Sequence, residues 1–316
     1  MGNNARDLIG YGKDYPRIKW PDDARIAVSL VLNYEEGSER SNLSGVEIPK
    51  TWEGEAFLVE AGRRDLRDES TFDYGGRVGA WRFLKMFDEL EVKATFSICA
   101  RALEHNPIVA AQITARGHEP QSHGYVWGAL RALSCDQQRE HISKAVEIIR
   151  ETTGERPLGW HSSSHNEHTR GLLIEEGGFL YDSDSLCDDL PYFVRDSGKK
   201  WLVVPYSLDT NDMKFWHHPG HSDGQDFLET LKDAFDYLYE EGKSHPKMMS
   251  IGLHARQSGR PSRAGAVASF IRYAKSFPQV WFARRIDIAQ WWLENYADLP
   301  ALPLLAAAPA EDTEHL

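Results

Sequence analysis

Two adjacent carboxylates, Glu35 and Glu36, follow directly on the apolar run RIAVSLVLNY and precede a glycine. Side chains on a strand alternate between its two faces, so both acids share one site only if the chain bends there. Paired acids at such a point can act as a metal ligand with a general base, as an acid/base pair, or as solvated loop residues. These two residues alone leave the three possibilities open.

Further chemistry-bearing residues follow later apolar runs of the same kind. They are His123 in QSHGYVW, Arg156 and Trp160 in RPLGW, and His254 in IGLHARQSGRP. In parallel α/β folds the carboxyl ends of the strands meet at one edge, so residues far apart in sequence share one pocket there. The recurrence at four strand ends therefore indicates an active site.

The elements that must position these residues alternate strand-like runs with amphipathic helices. Seven or eight such alternations without a linker predict a single α/β domain, similar to a parallel barrel, over residues 1–298. Residues 299–316 are rich in Pro and Ala and are assigned to a C-terminal tail. The polar region 35–76, with WEGEAF and FDYGGRVG, is too long for an ordinary connection and predicts active-site or interface loops. Strands are predicted at 25–33, 93–98, 157–160, 179–181, 201–204, 248–254 and 280–283, and long helices at 135–152, 225–241 and 262–276.

Composition and charge restrict the partners and the compartment. The net charge is −12, from 36 basic and 48 acidic residues without a basic stripe, which argues against nucleic acid or an anionic membrane as a partner. No apolar run approaches the ~18 residues of a membrane span. The N-terminus has no apolar leader region, and the three cysteines form no CxxC pair. We therefore expect a cytoplasmic enzyme.

The order acid–acid–Gly, S-H, R-P-x-G and L-H resembles the polysaccharide deacetylase superfamily, whose fold is a distorted (β/α) barrel. The resemblance implies that Glu35 and Glu36 stand where those enzymes carry a general base and a metal ligand. It also implies a second metal histidine four residues after His123, but that position is Trp127. An indole N–H only donates, so the site falls short of the three protein ligands typical of catalytic zinc. We expect no cofactor, with a zinc site as the alternative.

The stretches LNYEEGSE, LDTNDMKF and VWFARRIDIAQWW resemble one branch of that superfamily, the metal-independent bacterial allantoinases, over roughly residues 5–295. This resemblance implies hydrolysis of a C–N bond in a small cyclic amide, first of all allantoin to allantoate, or a related cyclic ureide or imide. It also implies a homo-oligomer, a tetramer or a dimer. The alternatives are a metal-dependent N-deacetylase of an amino sugar or polysaccharide, and a barrel that only binds.

Four residues are predicted to be catalytic. The resemblance implies that Glu35 is the general base, and His254 is the best candidate for the general acid. His123 would orient Glu36 or polarise the substrate carbonyl. Without a metal between the two glutamates, their repulsion raises one pKa, so that one of them stays protonated.

A second set of residues is predicted to contact the substrate. Arg156 and Arg260 would orient a carboxylate or hold substrate oxygens by paired hydrogen bonds. Trp127 and Trp160 would supply flat apolar walls, whereas Asn211, with Asp212 beside it, is equally explained as a turn cap. The predicted substrate-binding residues are Tyr34, Trp127, Arg156, Trp160, His161, Asn211 and Arg260.

The segment HSSSHNEHT, with His161, His165 and His168, departs from the allantoinase pattern. It is a polar loop before a helix at Thr169, a pocket reshaped for another ring or a linear amide, or a rebuilt metal site. FWHHPGH holds a second cluster, which either binds metal adventitiously or is a solvated loop. Its histidines are His217, His218 and His221.

Overall fold

One ten-stranded sheet runs through the part of the chain that the computed structural model describes, residues 7–39, 63–128, 130–162, 164–217 and 219–302. The strands are β1 (Ile26–Tyr34), β2 (Thr95–Ile98), β3 (Glu119–Ser122), β4 (Gly159–Trp160), β5 (Tyr181–Asp182), β6 (Tyr192–Asp196), β7 (Lys199–Val203), β8 (Lys247–His254), β9 (Val280–Phe282) and β10 (Ala301–Leu302). The helices are α1 (Leu66–Tyr74), α2 (Ala80–Glu89), α3 (Ala100–His105), α4 (Pro107–Ala115), α5 (Cys135–Thr153), α6 (Thr169–Glu176), α7 (Gly224–Glu241), α8 (Pro261–Lys275) and α9 (Arg285–Tyr296).

The sheet has the order β10-β6-β7-β5-β4-β3-β2-β1-β8, and β9 also pairs with β1. Every pairing is parallel except that of β6 with β7. All nine residues of β1 are buried, and every second one, from Ile26 to Tyr34, packs in the core formed with the helices. Because strand side chains alternate, Asn33 and the following Glu35 face the opposite side, the interior of the curved sheet.

β8, at one end of the sheet order, is joined to segments next to β5, β6 and β7 through side chains and single backbone bonds. Gly252 N of β8 donates to Thr210 O at 3.1 Å, and Met248 N donates to Asp189 O at 2.9 Å. Arg285, which is fully buried inside, donates to Ser183 Oγ at 2.9 Å and to Ser250 Oγ at 3.0 Å. These contacts close an irregular barrel, which confirms the predicted distorted (β/α) barrel.

Local sequence explains where the helices begin and end. Ser134 caps α5 by a reciprocal pair of hydrogen bonds with Gln137, and Gly154 ends it with a left-handed backbone, φ 80°. Asn106 accepts a hydrogen bond from Val109 N at the start of α4, where Pro107 takes the first helical position. The predicted long helices accordingly lie within a residue or two of the observed ones.

Three segments differ from the sequence-based expectation. The region 35–76 contains α1 near its end, and residues 40–62 lie outside the described part. β6 and β7 form an antiparallel hairpin, whereas only the second of these strands was expected. The assigned tail 299–316 begins inside the fold, since β10 pairs with β6, and residues 303–316 lie outside the described part. Among the described helices, none is both long and apolar enough to cross a membrane.

Candidate active site

The carboxylate of Glu35 lies at the carboxyl end of β1, close to one arginine and two histidines. Its Oε2 accepts a hydrogen bond from Arg256 Nη1 at 2.7 Å. Its Oε1 lies 3.2 Å from His123 Nε2 and 3.9 Å from His254 Nε2. Only 1% of the side chain is exposed. Three residues predicted to be catalytic therefore meet at one point, together with an arginine that the sequence interpretation did not select.

Parallel pairing brings these residues together. Asn33 of β1 stands opposite His254 of β8 in the register. His123 follows β3, and its backbone N–H donates to Ile98 O at the end of β2. Since β1, β2, β3 and β8 run in the same direction, their carboxyl ends share one edge, as the recurring strand-end residues predict.

The environment of His123 determines which of its nitrogens carries hydrogen. Nδ1 lies 2.5 Å from His161 O, and a carbonyl oxygen only accepts, so Nδ1 is protonated. The Nε2 of His123 therefore faces Glu35 Oε1. His123 is thus oriented against Glu35, whereas the sequence interpretation set it against Glu36 or the substrate.

His254 forms a dyad with Asp212. Nδ1 donates to Asp212 Oδ1 at 2.6 Å, while Asp212 Oδ2 accepts the backbone N–H groups of His254 at 2.8 Å and Ser258 at 3.2 Å. Burial alone would lower the pKa of His254, but the charge and hydrogen bond of Asp212, aided by Glu35, raise it above its ordinary value. The cationic imidazole is therefore stabilised, with its Nε2 toward Glu35.

The two adjacent glutamates differ in their surroundings. Glu36 Oε2 accepts the backbone N–H of Glu35 at 2.9 Å, and Oε1 accepts that of Arg256 at 3.2 Å. Burial raises the pKa of Glu36 to about 7. The charge of Arg256 opposes this rise, and the repulsion of Glu35 adds to it. For Glu35, burial is outweighed by Arg256, His123 and His254, so its pKa lies below the ordinary range. Glu35 is the ionised member of the pair, and Glu36 is the one that holds a proton below neutral pH.

His161 lies beside this cluster, partly exposed. Its ring centroid is 4.8 Å from that of His123 and 4.2 Å from that of Tyr206, and its Nδ1 is 3.3 Å from Ser97 Oγ. Burial, together with the charges of His123 and Arg285, holds the pKa of His161 well below its ordinary value. The imidazole of His161 is therefore uncharged, although the ionised Glu35 lies in the same cluster.

Three further residues predicted to contact the substrate lie near the cluster. Asn211 caps the short helix that carries Asp212, and its Nδ2 donates to the Tyr206 hydroxyl at 3.0 Å. Tyr34 packs in the helix-side core, because it alternates with Glu35 along the chain. Trp127 is half-buried, and its backbone N–H donates to Ser38 O at 3.2 Å.

The structure corrects two other predicted substrate contacts, Arg156 and Trp160, and places the last one, Arg260, on an aromatic ring. Arg156 precedes β4, at the strand end away from the glutamates, and pairs with Glu176. Trp160 turns to the helix side of β4, where it is fully buried in a hydrophobic core. Arg260 begins α8 and stacks on Tyr74, with its Cζ 3.7 Å from the ring centroid. Arg156 and Trp160 differ from the prediction for one reason, since a motif gives the position along the strand but not the face or end on which the side chain lies.

Arg256 and Tyr206 are the residues that sequence interpretation missed. Arg256 stands two positions after His254 in LHAR, so its closeness to the strand end was the available signal. Tyr206 follows β7, and its hydroxyl accepts hydrogen bonds from Asn33 and Asn211, each at 3.0 Å. Its aromatic ring supports the ring of His161.

The ligand set typical of a catalytic metal is three protein side chains that come together around the ion. Within the described ranges, no three His, Cys, Asp or Glu side chains come together in a way that could hold an ion. Glu36, which by resemblance stands where polysaccharide deacetylases carry a metal ligand, has both oxygens engaged by backbone N–H groups. His165 and His168 are exposed at the start of α6 and do not converge with His161. In the second cluster His221 packs between the rings of Phe215 and Phe227, and His218 lies outside the described residues.

A buried acid beside an Asp–His dyad at the carboxyl ends of parallel strands can supply a base and an acid for hydrolysis. The polysaccharide deacetylase family matches residues 69–171. A candidate polysaccharide deacetylase of Schizosaccharomyces pombe is 38% identical over 309 residues, which cover 91% of this chain and 97% of that protein. The chain belongs to the polysaccharide deacetylase superfamily and is a hydrolase of C–N bonds.

Two solved structures are similar over nearly the whole chain. A probable polysaccharide deacetylase from Pseudomonas aeruginosa is 49% identical, with a TM-score of 0.88, covering 92% of this chain and 98% of its own. Puue allantoinase is 48% identical, with a TM-score of 0.89, covering 93% of this chain and 99% of its own.

Proposed function

We propose that this protein opens the ring of a small cyclic amide, with allantoin as the first candidate and a related cyclic ureide or imide as the second. The observation that carries the proposal is the environment of Glu35, which has Arg256 on one oxygen and two imidazoles on the other. This arrangement provides a base and an acid without a set of metal ligands. The similarity to Puue allantoinase supports the substrate class.

The distances accommodate an attacking water. Glu35 Oε1 and His254 Nε2 are 3.9 Å apart, so one water at about 2.8 Å from each can hydrogen-bond to both. Glu35, which is ionised, takes a proton from that water as its oxygen bonds to the substrate carbonyl carbon. The position of this carboxylate is held by Arg256 and His123, so little reorganisation accompanies the attack.

The same pair completes the reaction. His254 is cationic because of Asp212, and it donates the Nε2 proton to the ring nitrogen as the C–N bond breaks. The products are a carboxylic acid, which loses its proton to solvent, and an N–H group on the opened chain. Transfer of the proton from Glu35 to His254 returns both residues to their starting states.

The second candidate is N-deacetylation of an amino sugar by a metal-dependent enzyme. The description of the Pseudomonas aeruginosa relative as a probable polysaccharide deacetylase favours it. Arg256 on Glu35 and Trp127 at the expected ligand position argue against it, because neither side chain binds a metal ion.

A substrate panel, assayed with and without a chelator, distinguishes the two functions. It contains allantoin, hydantoin, succinimide, dihydrouracil and N-acetylglucosamine oligomers. We expect turnover of at least one cyclic amide that persists after chelation and metal analysis. Acetate release from the oligomers alone, lost on chelation and restored by zinc, would refute the proposal.

A further inference from the structure

The glycine-containing segment FDYGGRVG joins α1 to α2 through a π-helical turn, Gly75–Gly79. Such turns are rare in proteins, and many of those known lie at functional sites. The backbone of Gly75 is right-handed helical, with φ −56° and ψ −51°, a conformation that any residue adopts. The requirement for glycine at this position is therefore one of space.

The space is taken up by Glu36. A Cβ added to Gly75 would overlap Glu36 Oε1 and lie 2.7 Å from its Cδ and Cγ, so the Glu36 side chain would have to move. At the neighbouring Gly76, the nearest atoms to an added Cβ are Glu36 Cβ at 3.6 Å and the Tyr34 hydroxyl at 3.7 Å, which are ordinary contacts. The Glu36 carboxylate thus lies directly on the backbone of the turn at Gly75.

From that position Glu36 holds the backbone of both members of the buried ion pair. One of its oxygens accepts the N–H of Glu35, and the other accepts the N–H of Arg256. The carboxylate is buried, and the bonds tie the end of β1 to the loop after β8. Both oxygens of its side chain are thus engaged with backbone N–H groups.

Helix α1 and the π-helical turn that follows it also pack on the loop that carries Arg256. A Cβ on Gly79 would lie 2.0 Å from Ala255 O, so the two backbones are in close contact. The Phe72 ring of α1 lies under Arg256, with 4.3 Å from Cζ to the ring centroid. Phe72 of α1 therefore packs against the guanidinium of Arg256, while Glu36 binds the backbone N–H of the same residue.

We propose that Glu36, seated on Gly75, is a positioning residue that orients Glu35 and Arg256 through their N–H groups and transfers no proton itself. The inference rests on the proposed role of Glu35 as the base. It gives FDYGGRVG a function in the active site, because the glycine at 75 is what allows the carboxylate to reach both N–H groups.

The matched pair Gly75→Ala and Gly76→Ala tests the inference, since each adds one methyl group to the same turn. We expect Gly75→Ala to lower kcat roughly 100-fold with KM within about 3-fold of wild type, because the ion pair moves while the pocket remains. Gly76→Ala should stay within about 2-fold of wild type in both constants. Equal activity of the two variants would overturn the inference.

A double-mutant cycle with Glu36→Ala asks whether Gly75 acts through Glu36. Glu36→Ala should lower kcat to a similar extent, and Gly75→Ala should then add no further loss, since the added methyl group has room. Independent, multiplicative losses would refute the proposed link. If Gly75→Ala does not fold, full activity of Glu36→Ala would by itself refute the positioning role.

Amide hydrogen exchange provides a readout that does not depend on turnover. The N–H groups of Glu35 and Arg256 should exchange slowly in the wild type and in Gly76→Ala, and faster in Glu36→Ala and Gly75→Ala. Unchanged exchange in Glu36→Ala would show that Glu36 does not hold them. A wild type that hydrolyses no panel substrate but shows this exchange pattern would refute the proposed function and leave the positioning role supported.

Discussion

Arg256 Nη1 lies 2.7 Å from Glu35 Oε2, and both side chains are at least 95% buried. The guanidinium of Arg256 is thus a fixed positive charge beside the carboxylate of Glu35, which directly follows β1. It lowers the pKa of that carboxyl against the effect of burial, so the acid is ionised over the whole neutral range. The other glutamate oxygen is left for the imidazoles and for water, which is the basis of the predictions below.

Glu35→Gln removes the proposed base while preserving the shape of the side chain. We expect kcat to fall about 10²–10⁴-fold or below detection, since proton abstraction is lost. The amide oxygen can still accept from Arg256, so the circular dichroism spectrum should match that of the wild type. A folded Glu35→Gln protein that retains turnover of a cyclic amide would remove Glu35 from the base role.

Arg256→Met leaves Glu35 buried without its strongest counter-charge. The pKa of Glu35 should rise, because burial then meets less opposition, and the acidic limb of kcat/KM should move to higher pH by about 1–3 units. The measurement is a pH profile of kcat/KM. Arg156→Met is the control, since Arg156 pairs with Glu176 at the other end of its strand, and its profile should match the wild type. An unmoved acidic limb in Arg256→Met would contradict this account.

Asp212→Asn tests the dyad with His254. The pKa of His254 should fall, because the charge and hydrogen bond of Asp212 are what raise it against burial. The cationic acid is then lost at lower pH, so the alkaline limb of activity moves downward and kcat near pH 8 falls about 10²–10⁴-fold. Asp209→Asn, which removes an exposed partner of Lys214, serves as the control. The prediction fails if both variants keep the wild-type alkaline limb.

His161→Phe keeps an aromatic ring against Tyr206 and removes the ring nitrogens of an uncharged imidazole. We expect KM for the cyclic amide to rise about 10-fold, with kcat changing less, because we propose that this neutral imidazole hydrogen-bonds to the substrate. The exposed His168→Phe should leave both constants unchanged. Unaltered KM in His161→Phe would exclude His161 from substrate binding.

Several active-site contacts were predictable because they depend on local order along the chain. Glu35, His123 and His254 each follow a buried strand, and parallel strands bring their carboxyl ends to one edge. The pKa separation of the two glutamates also follows from their adjacency, although which of them is raised does not. That outcome depends on Arg256, which is 221 positions away from Glu35 in sequence.

Arg156 and Arg256 mark the limit of motif interpretation. Both lie within a few residues of a predicted strand, and both are arginines suited to hold a carboxylate. Arg156 precedes its strand and meets Glu176, whereas Arg256 follows its strand and turns back onto Glu35. Trp160 shows the same limit for the face of a strand, since one position along the chain separates the barrel interior from the helix layer.

The sequence by itself determined the alternation of strands and helices, the barrel class and the strand ends at which acids and histidines gather, because these follow from hydrophobic periodicity and chain direction. Only the tertiary structure decided that Arg256 neutralises Glu35, that Asp212 holds His254, and that Gly75 makes room for Glu36. Each of these contacts joins segments far apart in the chain, and its geometry depends on how a helix packs against a strand end rather than on any local pattern.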